Sequence, residues 1–559
     1  MQHGGTLSTG EMRVGVVGAG TMGAGIAQVA AASGCAVSLY DVSAELAERG
    51  GARIAESWER QVARGRLTAE ERDAAQGRLT VVANLAALAD ATLVIEAAPE
   101  DLALKRELFA ALEGACAPTA LLATNTSSLS ITAIARGLAG AERIVGLHFF
   151  NPAPAQELVE VIGGARTAPE TIVRAEAFAR QLGKTPVRAL DTPGFIVNRV
   201  ARPFGGEALR LVAEGVATPA EIDRIVRAAG FPMGPCELAD LVGLDVSLAV
   251  TQALYDQTYG EPRFRPQPLQ ARMVAAGTLG RKSGQGFYRY EGGERVADER
   301  PIPFSEVAAL TRRANVLIAG QGDAADDLAL ALQAQGLNVS TYSTEESAPL
   351  VNAGIPRASR LRDVLMTTTV AIEATTGPRD LKRAYWFELD EALPPQIPIL
   401  SLALGHGTTE LGSWSSRPQR VMGLGLAGPF ATAPIIELAR GVHTTDAVLV
   451  RAVAFARSLD KEVAVVGDPP GQVLTRILAC LINEAAFALE EGVASIDDID
   501  TALRLGMRHP LGPGEWSARL GLERVVTTLD GLHAYYGEER YRVAPRLRRA
   551  FLAGQPRLS

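Results

Sequence analysis

The strongest constraint on this 559-residue chain is that it is written twice. Adding 277 to a residue number carries much of the first half onto the second without a gap. Glu96 falls on Glu373, Lys105 on Lys382, Gly146 on Gly423, Pro152 on Pro429, Gly194 on Gly471 and Asp223 on Asp500. EGVATPAEID at 214–223 meets EGVASIDDID at 491–500, and after one inserted residue PMGP at 232–235 meets PLGP at 510–513. A chain that repeats itself folds as two similar bodies, so whatever the first half builds, the second attempts again. Length agrees, since 559 residues exceed what a single hydrophobic core supports.

In the first half, residues 13–18 (RVGVVG) form a short apolar run ending in glycine, the pattern of a buried parallel strand. Gly18-Ala19-Gly20-Thr21-Met22-Gly23 follows at once, then an Ala-rich helical stretch through Ala32. Gly18 permits the tight turn, Gly20 lets backbone approach a pyrophosphate, and Gly23 lets helix pack close to strand. The helix N-terminus then offers unpaired N–H groups and a partial positive charge. A second strand, 37–40, ends at Asp41, the spacing at which an acid meets the adenosine ribose; Val42 and Ser43 follow, with no Arg for a 2′-phosphate. NAD is therefore expected, rather than NADP.

Further strand-like runs end in polar residues: 92–95 before Glu96, 121–124 before Asn125, and 144–147 before His148. In a doubly wound sheet the crevice outside the strand carboxyl ends is where ligands bind. Asn125-Thr126-Ser127-Ser128 and His148-Phe149-Phe150-Asn151-Pro152 both reach that rim. Oxidising an alcohol sends a hydride to the nicotinamide and a proton to a base, and His suits the base because its ordinary pKa lies nearest neutrality. Glu160, inside the apolar run 158–162, is a strand carboxylate that needs a partner, and a catalytic His would be one. Taken alone, His148 also fits a hydrogen-bonded structural role.

These residues, taken together, resemble the short-chain L-3-hydroxyacyl-CoA dehydrogenases over 13–290. The likeness rests on GAGTMG at 18–23, IEAAPEDLALK at 95–105, NTSSL at 125–129, HFFNPAP at 148–154, LVEVI at 158–162, DTPGFIVNR at 191–199, PMGP at 232–235 and GRKSGQGFY at 280–288. The resemblance implies His148 as general base, Glu160 as its partner, Ser127 on the substrate hydroxyl and Asn198 on the reacting oxygen. It implies Gly18, Gly20, Thr21, Met22, Gly23, Asp41, Glu100, Lys105 and Asn125 as cofactor-binding residues, with no metal. One departure is visible: the family carries a Met-Lys pair before LVEV, where this chain has Gln156-Glu157. Residues 44–80 read as a charged helical hairpin, which in the family lies against coenzyme A. Arg49, Arg53, Arg60 and Arg64 could face its phosphates, or simply form a solvated face with i,i+4 pairs.

The offset of 277 also shows what the second copy lost. His148 becomes Gly425, Ser127 Leu404, Asn125 Leu402 and Asn198 Thr475, while Glu160 survives as Glu437. Residues 316–322 (VLIAGQG) are a worn glycine turn, the next strand ends in Tyr342-Ser343 without a ribose acid, and the hairpin equivalent to 44–80 is missing. No base and no complete nucleotide fingerprint remain. The second half is therefore expected to be chiefly a scaffold, with residues 466–559 packing on 191–290 as an internal pseudo-dimer; its rival role is binding a regulatory ligand.

The expected fold class is an α/β Rossmann-type NAD-binding domain plus an all-α C-terminal domain, duplicated with a degenerate second copy. The expected boundaries are a tail at 1–12, the NAD domain at 13–190, helices at 191–290, a linker at 291–312, the degenerate Rossmann-like domain at 313–465 and a second helical domain at 466–559. A net charge of −8 argues against nucleic acid, and no apolar run is long enough to span a membrane. Scattered Cys35, Cys116, Cys236 and Cys480 and the polar start suggest a cytoplasmic protein. The expected activity is NAD-dependent oxidation of a 3-hydroxyacyl-CoA, with an acyl-CoA as partner and further homo-oligomerisation open. The alternatives are a dehydrogenase of a free hydroxy acid, as in lambda-crystallin-like relatives, and a non-catalytic NAD-binding protein.

Overall fold

The computed structural model describes residues 12–297, 304, 306–309 and 314–559, apart from 346, 359, 366 and 434. Residues 1–11 of the expected tail and 298–303, 305 and 310–312 of the expected linker lie outside the described residues, whereas Met12, the last residue of the expected tail, is buried in the first-half core.

The first half opens with β1 (Arg13–Val17), α1 (Thr21–Ala32), β2 (Ala36–Tyr40), α2 (Ala44–Ala63), α3 (Ala69–Gln76) and β3 (Leu79–Val82). It continues through β4 (Leu93–Glu96), α4 (Leu102–Ala115), β5 (Leu121–Thr124), α5 (Ile131–Ile134), β6 (Ile144–Phe149), β7 (Leu158–Gly163), α6 (Pro169–Gln181) and β8 (Thr185–Leu190). The eight strands form one sheet in the order β3-β2-β1-β4-β5-β6-β7-β8, parallel except where β7 runs back along β6. That single reversal places His148 directly opposite Glu160. Central strands are apolar on both faces because helices cover both, as parallel sheets require. The charged hairpin expected at 44–80 is α2 and α3; on it Arg49 and Arg60 pair with Glu45 and Glu56 one turn earlier, and all four guanidinium side chains are exposed.

Helices α7 (Val197–Val200), α8 (Arg202–Ala213), α9 (Pro219–Ala228), α10 (Pro235–Val242), α11 (Leu244–Gln257) and α12 (Pro268–Ala275) follow, closed by a two-residue ribbon, β9 (Tyr290–Glu291) and β10 (Glu294–Arg295). This ribbon begins at the last residue of the expected helical domain and otherwise falls in the expected linker, 291–312. Asp240 holds the segment before it, accepting the N–H groups of Phe287 and Tyr288 at 2.9 Å each.

The second half repeats the plan: β11 (Asn315–Ala319), α13 (Asp323–Ala334), β12 (Asn338–Tyr342), α14 (Ala348–Asn352), β13 (Arg357–Ala358), β14 (Val370–Glu373), α15 (Arg379–Ala392), β15 (Ile399–Leu402), α16 (Thr408–Ser413), β16 (Val421–Gly425), β17 (Ile435–Arg440), α17 (Asp446–Arg457) and β18 (Glu462–Val466). Its sheet has the same order, β13-β12-β11-β14-β15-β16-β17-β18, with the same reversal between β16 and β17. Helices α18 (Leu474–Glu490), α19 (Ile496–Met507), α20 (Pro513–Leu520), α21 (Leu522–Tyr536) and α22 (Pro545–Leu552) complete it. Among the described residues no single helix is long and apolar enough to cross a membrane.

By compactness the chain divides into two units, and the division does not follow the duplication. One unit runs to Val200 and takes in Glu491–Arg508; the other holds Ala201–Glu490 and His509–Ser559. In the first, α19 of the second copy packs on β7, β8 and α7 of the first. Leu190 donates its N–H to the Val493 carbonyl at 2.8 Å, and Arg199 pairs with Glu491 at 2.7 Å. In the other unit α8 lies along α18, whose residues Leu474–Ala488 are all buried. Charges that enter this packing are paired: Arg476 meets Glu207 at 2.9 Å and Glu214 at 3.0 Å, Arg540 meets Glu207 at 3.0 Å, and Arg263 meets Glu484 at 2.6 Å. Glu207 and Glu484, like Arg263 and Arg540, are related by 277, so the last two pairs are one contact made reciprocally. Burial alone would raise the Glu207 carboxyl, but Arg540 and Arg476 hold it down at about 2.

Candidate active site

The glycine turn after β1 is built as its spacing requires. Gly18 has φ +100°, and a Cβ there would meet the Ala97 carbonyl oxygen at 2.6 Å. At Gly23 a Cβ would run into the Gly18 carbonyl, whereas Gly20 has nothing within 4 Å, so the backbone is open to an incoming group. Gly20 caps α1 without a side-chain bond and the first turn carries no acid, so the N–H groups of that turn, at Thr21 and Met22, remain for an anion. Asp41 stands at the end of β2, accepting the Ala19 N–H at 2.6 Å and the Val42 N–H at 2.7 Å. A turn open at Gly20, an uncapped helix start and a carboxylate at the next strand's end fit a dinucleotide: phosphates on the helix, ribose hydroxyls on Asp41.

Beyond the turn, the ends of β4, β5 and β6 open into a cleft of about 360 Å³. Of the expected site residues, Met22, Glu100, Lys105, Asn125, Ser127, His148 and Asn198 line it together. Glu160 lies behind, fully buried. His148 Nδ1 is 2.6 Å from Glu160 Oε2, while Glu160 Oε1 accepts the N–H groups of Ile196 at 3.0 Å and Val197 at 2.9 Å. The carboxylate thus holds the imidazole on one side and the start of α7 on the other. Tied by Nδ1, the ring has Nε2 left for the cleft, and it packs against Phe150, ring centroids 4.5 Å apart. Asn198, carried on α7, donates from Nδ2 to the Ser127 carbonyl at 3.4 Å. Asn125 accepts the Phe149 N–H at 2.8 Å and so ties the β5 end to the β6 end.

Glu100 and Lys105 do more structural work than their motif suggests. Glu100 Oε1 accepts from Thr126 Oγ1 at 2.6 Å, Ser128 Oγ at 2.8 Å and the N–H groups of Ser127 and Ser128 at 3.0 and 3.1 Å, and so shapes the Ser127 loop. Burial would raise its carboxyl, but the Thr126 hydroxyl, the Lys105 ammonium and Ser128 hold it below the usual carboxylate range. Lys105 is buried against Glu96 at 2.6 Å and the Ala98 carbonyl at 3.2 Å, and Glu96 also accepts from Thr124 at 2.6 Å. The second copy keeps this pair as Lys382 and Glu373.

Some residues of the site escaped the sequence reading. Asp191 caps α5, accepting from Ser130 Oγ at 2.8 Å and from the N–H groups of Ile131 and Thr132 at 2.9 and 2.7 Å. Lys184 reaches the Ala153 and Gln156 carbonyls at 2.8 and 2.7 Å and fixes the loop after His148. Asp191 opens the 191–199 motif and Lys184 lies between motifs, and long-range side chain to backbone bonds carry no sequence period.

The equivalent position in the second half is filled. A Cβ at Gly425 would collide with the side-chain oxygen of Gln472, which occupies the space a histidine ring would need. Glu437 still accepts the N–H groups of Val473 at 2.8 Å and Leu474 at 3.2 Å. Burial pushes its carboxyl up to about 7, with no imidazole beside it.

Comparison with known proteins places this geometry in context. The family model for the 3-hydroxyacyl-CoA dehydrogenase NAD-binding domain matches residues 13–192 and again 306–469. The model for the 3-hydroxyacyl-CoA dehydrogenase C-terminal domain matches 194–290 and 471–558. The chain is 38% identical over 540 residues to the 3-hydroxyadipyl-CoA dehydrogenase of Escherichia coli, covering 96% of this chain and 97% of that one. It is 44% identical over 277 residues to a probable 3-hydroxybutyryl-CoA dehydrogenase of Bacillus subtilis, covering 49% of this chain and 96% of the relative. A crystal structure of 3-hydroxybutyryl-CoA dehydrogenase from Escherichia coli K12 superposes with a TM-score of 0.75 at 36% identity, covering 97% of this chain and 98% of the other.

Proposed function

The chain belongs to the 3-hydroxyacyl-CoA dehydrogenase family, duplicated, and from that premise we propose how its first-half residues divide the work. The reaction is NAD-dependent oxidation of a 3-hydroxyacyl-CoA to the 3-oxoacyl-CoA. The Gly18–Gly23 turn would hold the phosphates of NAD and Asp41 its ribose, and the bound nicotinamide would supply the acceptor for the C3 hydride. His148 takes the hydroxyl proton at Nε2, and Glu160 keeps Nδ1 protonated and steadies the imidazolium that results. The Ser127 hydroxyl and the Asn198 amide orient the reacting oxygen, and Glu100, Lys105 and Asn125 shape the rim on which the nicotinamide end rests. In reduction the same imidazolium returns the proton and stabilises negative charge developing on the 3-oxo group.

The observation that carries this assignment is the 2.6 Å contact between His148 Nδ1 and Glu160, on strands whose register sets the two residues opposite each other beside the cleft. The assay follows NADH consumption with acetoacetyl-CoA, with free acetoacetate, and with the His148→Ala variant. Turnover of the thioester alone, lost in the variant, is expected. Equal rates on the free acid would instead favour the free-hydroxy-acid reading. 3-Oxoadipyl-CoA run beside acetoacetyl-CoA measures acyl preference, since the relatives carry both kinds of name. A cytoplasmic location fits four free cysteines that are all buried.

A further inference from the structure

The second half has lost the base, yet it has gained a different polar constellation. A cleft of about 670 Å³ opens beyond the carboxyl ends of β14 and β15 and is closed on its other side by α21 and α22. Three residues on its sheet side are new relative to the first copy: Arg379, His406 and Glu410 stand where the first half has Leu102, Leu129 and Ala133. Glu410 Oε1 gathers the other two, at 2.7 Å from Arg379 Nη2 and 3.1 Å from His406 Nδ1. The imidazole is braced edge-on by Trp414 at 4.9 Å. Held by Nδ1, it has Nε2 left over, and Arg379 uses one of its donor nitrogens on Glu410. The exchange sets an Arg–Glu–His cluster beside an open space of ligand size where the first copy has three apolar residues.

The neighbouring helix changed in the same direction. In the first copy Asp101 caps α4, accepting the Leu104 N–H at 2.8 Å. Its counterpart before α15 is Pro378, which leaves the N-terminus of a 14-residue helix without a side-chain cap, and Gly377, Pro378 and Arg379 line the cleft. Opposite this polar end the wall is largely apolar, with Val526, Tyr535 and Phe551. The remaining charges limit what can enter. Asp530 is neutralised by both terminal nitrogens of Arg548, at 2.5 and 2.8 Å, but Glu523, which accepts from the Thr376 hydroxyl at 2.8 Å, faces no such cation among the described lining residues, which disfavours a ligand carrying two negative charges.

We propose that this cleft of the second half binds an amphipathic monocarboxylic acid, its carboxylate on the Arg379 donors not used by Glu410 and on His406 Nε2, and its apolar body on Val526, Tyr535 and Phe551. The site is independent of the first-half chemistry.

Hexanoate is the probe, titrated into the full-length chain by calorimetry beside hexan-1-ol and hexylamine. One saturable hexanoate site per chain is expected, with hexan-1-ol and hexylamine binding at least tenfold more weakly. Arg379→Gln removes a charge-assisted contact and should weaken hexanoate about tenfold or more; His406→Gln should weaken it severalfold. Ala534→Phe fills the cleft from its exposed wall without touching a charge and should also abolish binding, so the outcome does not rest on one variant's folding, which NADH titration and melting report. Unchanged hexanoate affinity in Arg379→Gln and Ala534→Phe, absence of saturable binding, or preference for hexylamine would overturn the proposal.

Discussion

Replacing Glu160 with glutamine separates two tasks that the geometry gives to one side chain. Oε2 faces His148 and Oε1 faces two backbone N–H groups at the start of α7. The amide oxygen of glutamine can keep the backbone bonds, now neutral rather than charge-assisted, at a cost of about 1 kcal/mol each. A stability loss of about 2 kcal/mol, a few degrees in melting temperature, is therefore expected. On the His148 side the loss is larger. An imidazolium and a carboxylate about 4 Å apart attract by about 4 kcal/mol at an effective dielectric of about 20, which is about 10³ in rate. The amide also turns an N–H toward Nδ1 and favours the tautomer with its proton on Nε2, where the base must be free. Oxidation of 3-hydroxybutyryl-CoA, followed as NADH formation, should show kcat reduced about 10³-fold, with KM for both substrates within about threefold. A kcat within tenfold of wild type, or a loss explained entirely by weaker NAD binding, would refute the reasoning.

Three further outcomes follow from the buried charges. Lys105→Met and Lys382→Met each strand a fully buried glutamate, Glu96 or Glu373, and each should cost about 3–5 kcal/mol in stability; fluorescence titration with NADH should be impaired further only by the first, and equal NADH affinity would confine Lys105 to a structural role. Glu207→Gln leaves Arg476 and Arg540 without their shared carboxylate and should destabilise the α8–α18 packing by about 3–5 kcal/mol in denaturant unfolding. For Glu437 the folded carboxyl titrates at about 7 against an ordinary 4.5, so the native state binds the extra proton between those values. Its contribution is complete below about 4.5 and is lost as pH rises through about 7, a swing of about 3 kcal/mol. Glu437→Gln should therefore be the more stable protein at pH 8 and lose that advantage near pH 4.5; parallel unfolding curves at the two pH values would contradict this.

Much of the site was legible because its parts are local. The Gly18–Gly23 turn, the acid at 41 and the strand-end polar residues are set by backbone sterics and by the two-residue period of strands, and both leave marks in a single sequence. The pairing of His148 with Glu160 was a matter of chemistry, an acid in an apolar strand needing a partner, and the antiparallel register between β6 and β7 supplies the contact. Roles that depend on distant backbone were not legible. Glu100, which lines the cleft, also spends Oε1 on the Ser127 loop, and Asp191 and Lys184 each organise a segment of the site through bonds to distant backbone that no period marks.

The duplication divides in the same way. Sequence alone established that there are two copies and that the second lacks base, serine and asparagine, because an offset of 277 needs no coordinates. It also indicated that α18 would be buried, from its apolar breadth. Only the tertiary structure revealed that Glu491–Arg508 leaves its own copy to pack on β7, β8 and α7 of the other, and that Gln472 occupies the vacated base position. Identity and periodicity travel along the chain, whereas which copy a helix packs against rests on long-range contacts, such as Leu190 N–H to the Val493 carbonyl and Arg199 to Glu491, that exist only once the chain has folded.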